Sequence, residues 1–238
     1  MHAVAADGQA LLALWEQALA LDAPEREVLL AYHEGADAPA TVGAQRLLLL
    51  GRLGEELGAR AALHSRCPAC GAVAAFEADL RALASQLTAD DGRVHELVHG
   101  AWTVAFRLPA PADLVQAAGI DDFVPCLLDR CVLQASRAGQ AQPAGALPQD
   151  VQLALSDAMD ALDPAAHLAF ALDCPACGHA WSASFDVGGA LWSRLQGDAE
   201  RLLVDIDTLA RRHGWTEAEI LALSPARRRA YLQLARAE

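Results

Sequence analysis

The sequence predicts an α+β fold, mostly helical, in which two β-hairpins meet across a large insertion and a helical arm follows them. Three observations predict it. The pentapeptide Cys67-Pro68-Ala69-Cys70-Gly71 recurs as Cys174-Pro175-Ala176-Cys177-Gly178. After the second copy, Trp181, Ala183, Phe185 and Val187 fall on alternate positions, the period of a strand. Elsewhere alanine and leucine dominate, aromatic residues make up only 5%, and apolar side chains recur at helical spacing.

The first sixty residues read as helices. Leu11, Leu12, Trp15 and Leu19 mark the first. Asp22-Ala23-Pro24-Glu25 reads as a cap with proline and an acid in the first turn of a second, which carries Val28, Leu29 and Tyr32. A loop at 35–40 leads to a third helix over 41–57, with a stripe of Leu47, Leu50, Leu53 and Leu57. Strand segments then enter and leave the first Cys-Pro-Ala-Cys-Gly turn. A short helix is expected near 79–87, a polar turn at Asp90-Asp91-Gly92, and one strand-like stretch from Val94 to Leu108. Pro109-Ala110-Pro111 breaks that stretch. Helices are expected over 112–118, 123–136 and 148–162, with a flexible linker at 137–148 by composition.

After the second turn comes the longest helix, 188–212. Its stripe is Leu191, Leu195, Ala199, Leu202, Ile206 and Leu209, close to a heptad seam. Gly214 reads as its C-cap, Thr216-Glu217-Ala218-Glu219 as a capping box, and Ser224-Pro225 as the start of a last helix. The chain thus divides into an N-terminal helical segment at 1–60, hairpins at 61–79 and 167–187 flanking an α/β insertion at 80–166, and a helical arm at 188–238.

The repeated pentapeptide carries the chemistry. Two Cys-x-x-Cys-Gly turns supply four thiolates, a complete tetrahedral shell for zinc. Glycine after the second cysteine permits the positive φ such a turn requires. Cys67, Cys70, Cys174 and Cys177 are therefore the expected ligands of one structural Zn2+ per chain, and two hairpins clasping one metal make a zinc-ribbon-like pair. Two other readings stand beside it. Each turn could hold its own zinc with nearby histidines (His64, His95, His99, His167, His179), or one Cys-x-x-Cys could be a thiol oxidoreductase site. Cys126 and Cys131 read as small buried hydrophobes. No His-Glu-x-x-His, nucleophile elbow or phosphate loop is present, and a closed four-sulfur shell leaves no open position, so the expectation is a protein that is not an enzyme.

Charge narrows the partners. The 238 residues contain 31 acids and 18 basic side chains, all arginine, for a net charge of −13. That opposes binding to a phosphate backbone, although a zinc-ribbon nucleic-acid regulator is the alternative function. Residues 211–238 hold six arginines against three glutamates, a basic tail on an acidic body. No apolar stretch has the length to span a bilayer. The opening Met-His-Ala-Val-Ala-Ala-Asp-Gly lacks the pattern of a targeting segment, and paired Cys-Pro-x-Cys-Gly turns suit a reducing compartment, so the expected location is cytoplasmic.

The tail from Arg211 to Leu232 carries a pattern of His213-Gly214-Trp215, an acidic pair, Ile220-Leu221-x-Leu223, Arg228-Arg229 and Tyr231-Leu232. Together with the Cys-Pro-x-Cys-Gly-His-x-Trp hairpin, Phe106-Arg107-Leu108-Pro109, Asp113-Leu114 and Leu127-Leu128-Asp129-Arg130-Cys131, it resembles the baseplate hub assembly chaperones of contractile-tail phages. The likeness is closest to their zinc-knuckle relatives encoded with extracellular contractile injection systems. The resemblance implies a non-enzymatic accessory protein for baseplate or hub assembly, with baseplate or hub/spike proteins as partners. Trp215, Glu219, Ile220, Arg228, Arg229 and Tyr231 match the shared pattern and become candidate partner-binding residues.

Overall fold

The computed structural model describes residues 7–32, 39–58 and 60–236. The predicted loop at 35–40 falls largely outside them. The fold is mixed α and β, with helices predominating and three small antiparallel sheets. Two compact units are formed. One joins the described residues up to Asp22 with those from Gly189 onward, and the other is Ala23–Gly188. The sequence groups residues 1–60 together, whereas the contacts divide them after Asp22.

In the first unit, α1 (Gly8–Leu19) starts at Asp7, whose carboxylate accepts the N–H groups of Gln9 and Ala10. It buries Leu11, Leu12, Leu14 and Ala18.

The larger unit begins with α2 (Ala23–Tyr32) and α3 (Val42–Leu57). Thr41 caps α3 by accepting the N–H of Ala44. Leu49, Leu50 and Leu53 are fully buried, while Leu57 is exposed, so the apolar stripe lies about one residue away from the expected one. The start of α3 is pinned twice. Val42 N–H donates to Pro109 O at 2.9 Å, and Gly43 N–H donates to the buried Asp163 Oδ2 at 2.9 Å. A Cβ on residue 43 would lie 1.9 Å from Asp163 Oδ1. Gly43→Ala must therefore push Asp163 out of its bond, at about 1–3 kcal/mol as for other overpacked sites. The urea midpoint should fall; an unchanged midpoint would contradict the clamp.

Two hairpins follow the predicted plan: β1 (Ala61–Arg66) with β2 (Val73–Ala78), and later β7 (Ala169–Asp173) with β8 (Ala180–Ser184). Between them, α4 (Leu80–Gln86) is capped by Asp79. The stretch from Val94 to Leu108, expected as one strand, is a hairpin of β3 (Val94–His99) and β4 (Trp102–Arg107). Gly100, at φ 59°, makes the two-residue turn. The inward face passes from His95, Leu97 and His99 to Trp102, Val104 and Phe106, leaving Val94 and Val98 exposed although they share the even positions of the β4 stripe.

Helix α5 (Pro111–Ala117) lies where expected, but α6 (Phe123–Cys131) ends early. Residues 132–136, expected as helix, enter β5 (Val132–Arg137), which pairs with β4 through Val104↔Ala135 and Trp102↔Arg137. Ladder bonds and burial of Ala135 outweigh the helical preference of Leu133-Gln134-Ala135. The predicted linker at 137–148 is ordered structure. Ala138 and Gly139, both at positive φ, turn the chain into β6 (Gln140–Gln142), and a 3-10 turn over Ala144–Ala146 delivers Leu147 to the core. The composition hides this because the residues supply backbone bonds, not apolar periodicity. Helix α7 (Gln149–Leu162) then covers the four-stranded sheet, with Val151 and Leu155 packed on Trp102, Val104, Phe106 and Ala135.

In the first unit again, α8 (Val187–His213) enters from the larger unit through its first turn. It buries all six predicted stripe residues. Gly214, at φ 68°, ends it with its N–H on Ala210 O. The capping box forms as expected: Glu219 Oε2 accepts Thr216 N–H at 2.8 Å and starts α9 (Glu217–Leu221). Ser224 opens α10 (Pro225–Arg236).

Candidate metal centre

Each Cys-Pro-Ala-Cys-Gly sequence sits at the tip of a hairpin, and the two tips repeat one another bond for bond. Gly71 N–H donates to Cys67 O and Cys67 N–H to Ala72 O, both at 2.9 Å. Gly178 N–H donates to Cys174 O and Cys174 N–H to His179 O, also both at 2.9 Å. Gly71 and Gly178 adopt φ of 73° and 71°, which is why glycine must follow the second cysteine. The strand registers match as well, Arg66↔Val73 in one hairpin and Asp173↔Ala180 in the other.

The tips converge. One sulfur from each of Cys67, Cys70, Cys174 and Cys177 lies within 4.8 Å of the other three. Cys67 Sγ is 3.8 Å from Cys177 Sγ, and Cys70 Sγ is 3.6 Å from Cys174 Sγ. Each close contact therefore pairs the buried first cysteine of one turn with the exposed second cysteine of the other. Sulfurs bound tetrahedrally at about 2.3 Å from a zinc ion stand about 3.8 Å apart. A disulfide needs about 2.0 Å. The four thiols are thus spaced as ligands around one cation and not as two bonds. An aromatic contact joins the hairpins, Phe76 to Phe170 at 5.1 Å between ring centroids, and Phe185 packs on Phe170 within the second at 5.6 Å.

One thiol of the four is pulled toward its thiolate while two are pushed away from it. For Cys174, burial pushes the thiol up, but N–H groups of Ala176 and Cys177 and the neighbouring thiols outweigh it and bring it to about 6. For Cys177, the His179 N–H favours the thiolate, but its bonds to Cys70 and Cys174 raise it to about 12. Sulfur binds a cation as thiolate, so metal binding at such a set would release protons.

Among the described residues no histidine or carboxylate joins the cluster. His95 Nε2 lies 3.0 Å from Asp90 Oδ2, and His99 Nε2 lies 3.6 Å from Asp150 Oδ2. Cys126 and Cys131 sit on α6; Cys131 is fully buried, and burial pushes its thiol up to about 11, away from reactivity.

The candidate partner-binding residues have work inside the first unit. Ile220 is fully buried, and Glu219 makes the capping box. Trp215 stacks on His213 at 4.5 Å and meets Tyr231 edge-on at 4.9 Å, joining the end of α8 to α10. Arg228 is 8% exposed and donates to Leu223 O; burial lowers its pKa and Asp205 opposes that. Arg229 is exposed and donates to Pro225 O.

A second buried polar centre lies in the larger unit, which the sequence does not announce as one site. Arg107 grips Asp113 with two bonds, at 2.6 and 2.9 Å, and Ala110 N–H adds a third at 2.8 Å. Arg130 Nε lies 3.7 Å from the same carboxylate. Burial pushes the Asp113 carboxyl up, but these partners more than reverse it and hold it below the usual range. Three separated sequence segments thus meet at one ion group. No family model, curated protein or solved structure matches this chain.

Proposed function

We propose that Cys67, Cys70, Cys174 and Cys177 bind one structural zinc ion, and that the two hairpins so joined form a zinc ribbon with a large insertion. The four-sulfur cluster, spaced as a tetrahedral shell, is the observation that carries this reading. Such a shell has no open position for substrate, so the metal serves architecture and the protein works by binding other proteins. The resemblance of its tail and of the Phe106–Pro109, Asp113-Leu114 and Leu127–Cys131 segments supports an accessory role in assembling the baseplate or hub of a phage-tail-like contractile particle. Arg107, Asp113 and Arg130, one from each of those three segments, meet at one ion group.

Two measurements test the reading. Purified protein should carry about one zinc per chain; about two would favour separate sites, and none would remove the clasp. Affinity capture in cells that produce such particles should bring down a baseplate, hub or spike component. If none is retained and particles assemble normally without the protein, the assembly role is wrong.

A further inference from the structure

We infer that the larger unit carries a docking groove for a basic amphipathic segment of a partner protein. This goes beyond the metal-stapled assembly reading and does not depend on which metal the cysteines hold. The groove is a cleft of about 310 Å³ between the start of α3, the chain after β4, α5, α6 and the end of α7. Leu108, Leu114, Phe123, Leu127 and Met159 line its apolar wall. That volume accepts a few anchoring side chains and not a whole domain.

Three observations specify the occupant. First, apolar surface continues outward from the cleft: Phe123 is 40% exposed, with Ile120 at 43% and Val124 at 58% beside it. Large apolar side chains clustered on a surface mark an interaction site more often than scattered ones do. Second, the rim is acidic. Exposed Asp160 lines the cleft, exposed Asp121 and Asp122 directly precede Phe123, and exposed Asp157 sits one turn before Asp160 on α7; Asp163 also lines the cleft but is buried and holds Gly43. Arg46 also lines the cleft and donates to Ala166 O, so one positive charge stands against these acids. The surrounding unit contains 21 acids against 10 arginines, so the long-range field has the same sign as the rim. A partner with arginine or lysine flanking leucine or phenylalanine anchors matches both the wall and the rim. Third, both walls are held by buried polar clamps. Arg107 and Asp113 directly precede the lining residues Leu108 and Leu114, Arg130 follows the lining Leu127 by three residues on α6, and the Asp163–Gly43 bond secures the start of α3. A groove held open in this way loses little entropy when filled.

The test is selection of randomised displayed peptides of about twelve residues, some three helical turns, against the full-length metal-loaded protein. Enriched peptides should combine leucine or phenylalanine with arginine or lysine. Phe123→Glu and Asp160→Arg should each weaken them by about tenfold or more, as loss of an interface anchor does. Both positions are exposed, and unchanged metal content and melting temperature would show that the variants fold. Binding should also fall as salt rises. A library that enriches nothing, enriches acidic peptides, or yields peptides indifferent to both substitutions would overturn the groove, and would leave the metal and assembly readings untouched.

Discussion

Replacing Cys174 with serine is expected to release the metal and loosen both hairpins, as the proposed sharing of one ion by the two turns requires. Structural zinc in small domains contributes about 10–16 kcal/mol of binding free energy at neutral pH, and a missing thiolate forfeits a large part of it. The sharing makes a second, sharper expectation. Cys70→Ser lies in the other hairpin, yet it should lower metal content and melting temperature as much as Cys174→Ser does. The double variant should be little worse than either alone, since residues acting on one site are not additive. Metal analysis and thermal melting of the three variants decide it. If each single variant keeps half the metal of the wild type, the turns bind separately. If metal content and melting temperature do not move at all, there is no clasp. Acid should act in the same direction as serine, because protons compete with the cation for the sulfurs.

Asp113→Asn should cost about 3 kcal/mol, the low end of the range for breaking a buried ion pair. The low end applies because the Arg107 side chain is 31% exposed and water relieves part of the loss. The Ala110 N–H also loses a charged acceptor at the start of α5. Arg107→Lys keeps the charge but not the two-pronged geometry and should fall between wild type and Asp113→Asn. The same pair gives the protein an acid-sensitive element. The folded-state carboxyl of Asp113 lies below its unfolded value, so its contribution is fully present above about pH 4, the ordinary carboxyl range. It fades as pH falls through the lowered folded-state value. Urea midpoints measured from neutral to acidic pH should show this slope in the wild type and a shallower one in Asp113→Asn. Equal slopes would mean that the pair carries no folding free energy.

Much of this architecture is legible in the chain because its signals are local. The stripe from Leu191 to Leu209 needs only helical periodicity, and all six of its residues are buried. Thr216 and Glu219 lie three residues apart, so their capping box is written into one turn. The same holds for Gly71 and Gly178, whose positive φ follows from the turn itself. The errors fall where a distant partner decides. Residues 132–136 favour a helix in isolation and become strand because β4 offers a ladder. The chain at 137–148 lacks apolar periodicity, but Leu147 finds a place under α7.

The candidate sites divide in the same way. Repetition of Cys-Pro-Ala-Cys-Gly named the four cysteines of the cluster, since each pair sits on one local turn with its sulfurs at fixed spacing. The sequence by itself determined those cysteines, the hairpins that carry them, the long helix and its seam. Only the tertiary structure decided which sulfurs face each other, that Asp163 clamps Gly43 from 120 residues away, and that Asp113 gathers Arg107 and Arg130. It also decided that Trp215, Ile220, Arg228 and Tyr231 pack within their own unit. The reason is physical: periodicity and turn chemistry act over a few residues, whereas burial of a charge or an aromatic ring depends on what folding brings to it.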